Sequence, residues 1–238
     1  MKYKAEKVKE YKINEISFTL IKSKRKTLCA YVQPDQSVIV KAPVSMKDRD
    51  ILDWVYTKIN WITRKQLEIQ QRPVKKYVEG EKFQFLGEDY PLHIVYDEKN
   101  GKIRVNIVRN KLTVYTNTRD KERIKRVIRK WYIENAKKYF FNRVNYYHNK
   151  YIREPMKCIY IKEQKTCWGS CSSLGNLNFN WKAIMAPPRV IDYIVVHEMC
   201  HLKYMNHSKQ FWSAVEKILP DYQEQKKWLR VNGKNLDL

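Results

Sequence analysis

The stretch 190–212, VIDYIVVHEMCHLKYMNHSKQFW, limits what this chain can fold into more than any other. Ile191, Ile194, Val195 and Val196 mark an apolar helix, yet His197, Glu198 and His201 sit on the same run. Polar groups in such a setting need partners, because an unpaired one held away from water is costly. Helix residues four apart lie on one face, one turn apart, so His197 and His201 can present two imidazole nitrogens to one ion. Glu198, offset by one residue, reaches the edge of that site. Neutral nitrogens with a carboxylate beside them suit a zinc ion and a base for its water. The plainer alternative, two surface histidines and a solvated glutamate, fits a polar helix better than this one.

A third ligand completes such a site, and His207 is nearest. In an unbroken helix it would lie about 9 Å beyond His201 along the axis and on another face. The chain must therefore leave the helix after His201, and Asn206 is the expected stop, since Asn tolerates the left-handed conformation that ends helices. Ser208 to Leu219 resumes a helical pattern, with Phe211, Trp212, Val215 and Leu219 on one side. Glu216 and Glu224 are the competing third ligands, but each needs a second helix in register, whereas His207 needs one turn.

The 238 residues suffice for one large domain or two small ones. No apolar run reaches membrane-spanning length, and MKYKAEKVKEYKINE is charged throughout, which reads as a cytoplasmic protein with no membrane partner. Five cysteines, at 29, 158, 167, 171 and 200, are an odd number and read as reduced, mostly buried side chains. Cys167 and Cys171 lack the matching second pair of a cysteine zinc site. Net charge is +23, and residues 119–156 alone hold 12 basic against 4 acidic side chains. Such an excess favours a polyanion, nucleic acid or ribosome, or an acidic protein substrate; a lysine-rich solvated surface is the alternative.

Hydrophobic periodicity gives an α+β chain in two parts. Residues 1–118 form an N-terminal, β-rich α+β region dominated by antiparallel sheet. Extended runs over 28–32 and 37–41 are joined by Pro34-Asp35-Gln36, and a helix runs from Lys47 to about Gln71, capped by Asp48 or Ser45. Strands follow over 82–86, 90–96, 102–108 and 111–115, with turns at Gly87, Asn100-Gly101 and Asn110. Residues 119–238 begin with a long helix from about Lys121 to Tyr151. Its apolar face is Ile124, Val127, Ile128, Trp131, Tyr132, Ala136, Phe140, Val144 and Tyr147, and its other face carries Arg123, Arg126, Arg129, Lys130, Lys137 and Lys138. Strands over 157–162 and 176–181 flank a small-residue loop at 168–174. This hairpin-like edge, 168–181, is where an extended peptide could add itself as a strand. Pro187-Pro188 opens the histidine helix, and a C-terminal helix follows.

TCWGSCSSLGNLNFNWKAIMAPPRVIDYIVVHEMCHLKYMNHSKQFWSAVEKILPDY resembles the YgjP-like metallopeptidases, relatives of the SprT-like and WLM zinc proteases. RKTLCAYVQPDQSVIVKAP, EKFQFLGEDYPLHIV and WYIENAKKYF extend the likeness over most of the chain. The resemblance implies a zincin-like metalloprotease domain, zinc ligands at His197, His201 and His207, and a catalytic glutamate at Glu198. Cys167 departs from it, because an arginine is usual before Trp-Gly-Ser.

The expected activity is hydrolysis of peptide bonds by water attack at zinc, with Glu198 taking the proton and passing it to the leaving nitrogen. Tyr204 or Tyr222 could donate to the carbonyl oxygen, or simply pack. Two rivals stand beside this reading: a nucleic-acid- or ribosome-associated binding protein with a structural zinc, and a zinc hydrolase of a non-peptide amide. Basic residues near 119–150 would carry any nucleic-acid contact.

Overall fold

The computed structural model describes residues 7–33, 35–70, 75–97, 103–164 and 166–238. The chain divides into two compact units, Met1–Pro73 and Val74–Leu238.

In the first unit, β1 (Lys7–Ile13) and β2 (Ile16–Ser23) form a hairpin whose two-residue turn places Asn14 at φ 52°. Strands β3 (Cys29–Val32) and β4 (Val38–Pro43) complete a sheet of order β1-β2-β4-β3, in which β2 and β4 run parallel. Alternate residues Ile16, Phe18 and Leu20 of β2, and Val38, Val40 and Ala42 of β4, are buried with Ile51, Val55 and Ile62 of helix α1 (Asp48–Gln70). Strands β3 and β4 and helix α1 lie where the sequence predicts them; β1 and β2 fall in the region expected to be β-rich but are not predicted as separate strands. Asp48 is the first residue of the helix and not its cap. Its carboxylate accepts from the Tyr11 hydroxyl at 2.6 Å and pairs with Lys9 and Lys22 at 2.8 and 2.5 Å, tying the helix start to the sheet. Pro34 of the expected turn lies outside the described residues, while Asp35 Oδ1 accepts the Ser37 N–H at 3.0 Å.

The second unit opens with the same topology. Strands β5 (Lys82–Phe85), β6 (Glu88–Tyr96), β7 (Arg104–Val108) and β8 (Lys111–Thr116) lie in the order β5-β6-β8-β7, again with one parallel pair at the centre, β6 with β8. A helix again follows, α2 (Lys121–Lys150). Two of the three pairings in each sheet are antiparallel. The ββββα repeat has no counterpart in sequence periodicity. Its hairpins turn on residues of positive φ, Leu86-Gly87 and Arg109-Asn110; the expected Asn100-Gly101 turn lies outside the described residues.

Helix α2 starts at Asp120, whose carboxylate accepts the N–H groups of Glu122 and Arg123. It buries Ile124, Ile128, Tyr132, Ala136, Phe140 and Val144, one residue every turn, and then Tyr147. The sequence reading places the strands over 82–116 with the N-terminal region and begins a new region at 119. The structure instead puts Phe83, Leu92, Val105, Leu112 and Val114 in one core with α2 and everything after it. The β5–β6 turn is pinned there: Leu86 and Gly87 donate N–H groups to the carbonyls of Ile184 and Met185. A β-carbon on Gly87 would stand 2.9 Å from Pro187 Cα.

After α2 come β9 (Cys158–Lys162), β10 (Gly169–Cys171) and β11 (Asn176–Asn180), in the order β10-β11-β9. The hairpin is β10–β11, and β9 joins β11 in parallel. The segment 168–174, a loop by its composition, therefore contains an edge strand. A 3-10 turn over Trp181–Met185 leads to α3 (Pro188–Cys200), with Pro188 in its first turn. Helices α4 (Lys209–Ile218) and α5 (Tyr222–Asn232) close the unit. Arg143 of α2 grips Asp192 of α3 with two hydrogen bonds, Nε to Oδ1 at 2.6 Å and a terminal nitrogen to Oδ2 at 2.9 Å. No described helix is long and apolar enough to cross a membrane.

Candidate metal centre

Helix α3 is buried on nearly every side from Val190 to Cys200. It ends at Cys200, with His201 as its cap, and not near Asn206 as the spacing argument expects. The last turn closes by short-range bonds: the N–H of Leu202 to the Met199 carbonyl, and those of Lys203 and Tyr204 to the Cys200 carbonyl. Asn206 does not adopt a positive φ. The chain needs no left-handed residue because tightening of the final turn already redirects it. Ser208 then caps α4, its hydroxyl accepting the Phe211 N–H.

This redirection brings His207 back over α3. One ring nitrogen from each of His197, His201 and His207 lies within 4.8 Å of the other two. Nε2 of His207 stands 3.0 Å from Nε2 of His197. Nδ1 of His201 lies 2.8 Å from the Tyr204 carbonyl; with Nδ1–H donating to it, Nε2 presents its lone pair inward. Phe211, at ring distances of 4.5 to 4.9 Å from all three imidazoles, floors the cluster. Trp212 stacks on His207 at 5.5 Å. Burial chiefly, then the neighbouring His201, His207 and Lys226, pull His197 down to about 3, and burial likewise lowers His207. Three imidazoles that converge on one point form a donor set suited to a nitrogen-preferring divalent ion. His197 Nδ1 is buried without a hydrogen-bond partner among the described residues.

Glu198 is buried beside the cluster, and burial pushes its carboxyl up to about 8. Its side chain lies against Gly169 of β10: a β-carbon there would stand 2.5 Å from Cγ and 2.7 Å from Oε1. Glu198 and the three histidines line one cavity of about 610 Å³ together with Cys167 to Cys171, Tyr193, Ile194, Met205, Lys226 and Leu229. Edge strand β10 forms one wall of it. The end of α5 closes on the start of that strand, where a β-carbon on its cap, Gly233, would stand 3.1 Å from the Trp168 ring.

Other expected participants fall elsewhere. Glu216 and Glu224 are exposed and outside the histidine cluster. Tyr204 lines a different cavity, and Tyr222 is buried in a stack between Tyr193 and Trp212. Of the five free cysteines only Cys200 is buried, while Cys167 is exposed, against the expectation of mostly buried thiols. No cysteine joins a metal-holding group among the described residues. Sequence reasoning passes over Gly169 and Lys226. A glycine inside a strand signals close approach by another group, so Gly169 carries a readable signal once 168–171 is recognised as a strand.

Two histidines one helical turn apart and a third from the following turn form a group that could hold a metal ion, with a buried glutamate in the same cavity, the arrangement of H-E-x-x-H metalloproteases. The family model for the YgjP-like metallopeptidase domain matches residues 26–232, and the chain belongs to that family. Among solved structures, the metallopeptidase zymogen abylysin of Pyrococcus abyssi is similar at 22% identity and a TM-score of 0.35, over 40% of this chain and 93% of that one. Comparison with curated proteins gives no match.

Proposed function

We propose that this member of a metallopeptidase family is a zinc-dependent peptidase, with His197, His201 and His207 holding the ion and Glu198 acting as general base. The observation that carries the reading is the Glu198 carboxyl, buried in the same cavity as three converging imidazoles. Zinc held there supplies acidification of water and polarisation of the amide carbonyl. Glu198 accepts a proton from the attacking water as the carbon–oxygen bond forms. It returns that proton to the amide nitrogen as the carbon–nitrogen bond breaks.

The substrate would lie along β10. Ser172 N–H donates to the Asn176 carbonyl and Asn180 N–H donates to the Trp168 carbonyl, so the alternation of an antiparallel ladder turns the N–H and C=O groups of Gly169 and Cys171 outward. An extended peptide can pair with them as an added strand. The exposed basic face of α2 (Arg123, Arg126, Arg129, Lys130, Lys137 and Lys138) supports a second role in holding a nucleic acid or other polyanion. The deciding experiment compares wild type with Glu198→Gln on a library of unstructured peptides: retained zinc with lost cleavage is expected, and unchanged cleavage removes Glu198 from its role.

A further inference from the structure

Lys226 is the one lysine or arginine lining the cavity of the histidine cluster among the described residues. It projects from α5, and its Nζ lies 4.1 Å from the centre of the Trp212 ring, the same ring that stacks on His207. Among the described residues it forms no ion pair. Because Trp212 stacks on His207, Lys226 stands on the His207 side of the cluster. The rest of the wall, Trp168, Tyr193, Ile194, Met205 and Leu229, is mostly apolar. Lys226 is itself exposed, so its ammonium stays hydrated, held over an aromatic face with no protein carboxylate paired to it among the described residues.

We propose that Lys226 is a specificity-determining residue that recruits a carboxylate of the substrate to the His207–Trp212 side of the centre. This rests on the peptidase reading of the same site. A carboxylate entering a mostly apolar cavity is disfavoured unless a cation meets it, and Lys226 is the cation on its lining among the described residues. The carboxylate can come from an Asp or Glu side chain or from the free C-terminus of the chain being cut.

Equilibrium binding tests this without relying on turnover. Fluorescent peptides of one sequence are titrated against the Glu198→Gln protein in four forms: neutral and amidated, Glu-containing and amidated, neutral with a free C-terminus, and Lys-containing and amidated. A carboxylate should tighten Kd by about threefold to fivefold, the scale of an ion pair at an exposed lysine. The form that gains identifies its source. Adding Lys226→Met should abolish the gain, and Lys226→Glu should transfer it to the Lys-containing peptide. Lys227→Met, a neighbour outside the cavity lining, removes the same unit of charge and should leave the gain intact. Equal binding of all four peptides, or equal loss with Lys226→Met and Lys227→Met, overturns the assignment. Cleavage by wild type is scored separately. A carboxylate preference in binding with no cleavage of any peptide counts against the peptidase reading alone, and cleavage without that preference counts against Lys226 alone.

Discussion

Gly169 has no room for a β-carbon because Glu198 occupies the space: the added atom would sit 2.8 Å from the carboxyl carbon. The backbone of Gly169 needs no positive φ, so proximity to Glu198 is what calls for glycine here. Gly169→Ala should push the carboxylate off its position while leaving the histidines in place. The expected result is retained zinc with kcat lower by about tenfold or more, since small displacements of a catalytic group cost this much. Full activity in the alanine variant would show that Glu198 is free to move without consequence.

His207→Ala should strip the ion from the purified protein, measured by metal analysis against about one zinc per wild-type chain. Glu216→Ala and Glu224→Ala should keep it, because neither carboxylate lies in the histidine cluster. Zinc content that survives the His207 change would reassign the third ligand.

Peptide pairing with β10 has a period-two signature. N-methylation scanned along a bound peptide should weaken binding to the Glu198→Gln protein at alternate positions, since only every second N–H faces the strand. A flat scan would exclude strand addition.

Arg143 and Asp192 join α2 to the helix of the histidines, and the Asp192 side chain is only 8% exposed. Asp192→Ala leaves the guanidinium without its partner and should lower unfolding free energy by about 3 kcal/mol, read from denaturant titration. Replacing both residues together with apolar ones should cost less than the single change.

Asp48 governs a pH effect in the first unit. Hydrogen bonds from Lys22, Lys9 and Tyr11 hold its carboxyl well below the ordinary value of 3.8. A group whose value falls on folding adds stability that is complete above its unfolded value and is lost as pH drops toward its folded one. Asp48→Asn should therefore destabilise the unit at pH 7, and the gap from wild type should shrink below about pH 4. A gap that stays constant down to pH 2 would show that charge plays no part.

Most of the histidine cluster is legible in the sequence because it is local. His197, Glu198 and His201 belong to one helix, and their relation follows from 3.6 residues per turn. His207 requires an argument about chain direction, which succeeds in outcome and fails in detail, since the helix stops at Cys200 by closing its last turn rather than at Asn206. The edge strand hides as a loop because Gly, Ser and Cys carry little strand preference, and its pairing with β11 is what makes it a strand. The regional boundary is hidden for a related reason: which sheet packs on which helix is a tertiary fact, and Tyr132 donating to the Gln84 carbonyl at 2.6 Å has no trace in either residue's neighbours. Lys226 lies far along the chain from the histidine helix, two helices later, and only the return of α5 across the cavity reveals it.

The His207 arm has a kinetic meaning as well. Two donors sit on a rigid, buried helix and its cap, and the third rides on an exposed stretch between α3 and α4. Any ion held by all three is a clasp between those helices, and its exchange need not wait for the core to open. Release begins when one turn swings outward, so chelators should capture the metal at a rate set by that swing and insensitive to stabilisation of α3.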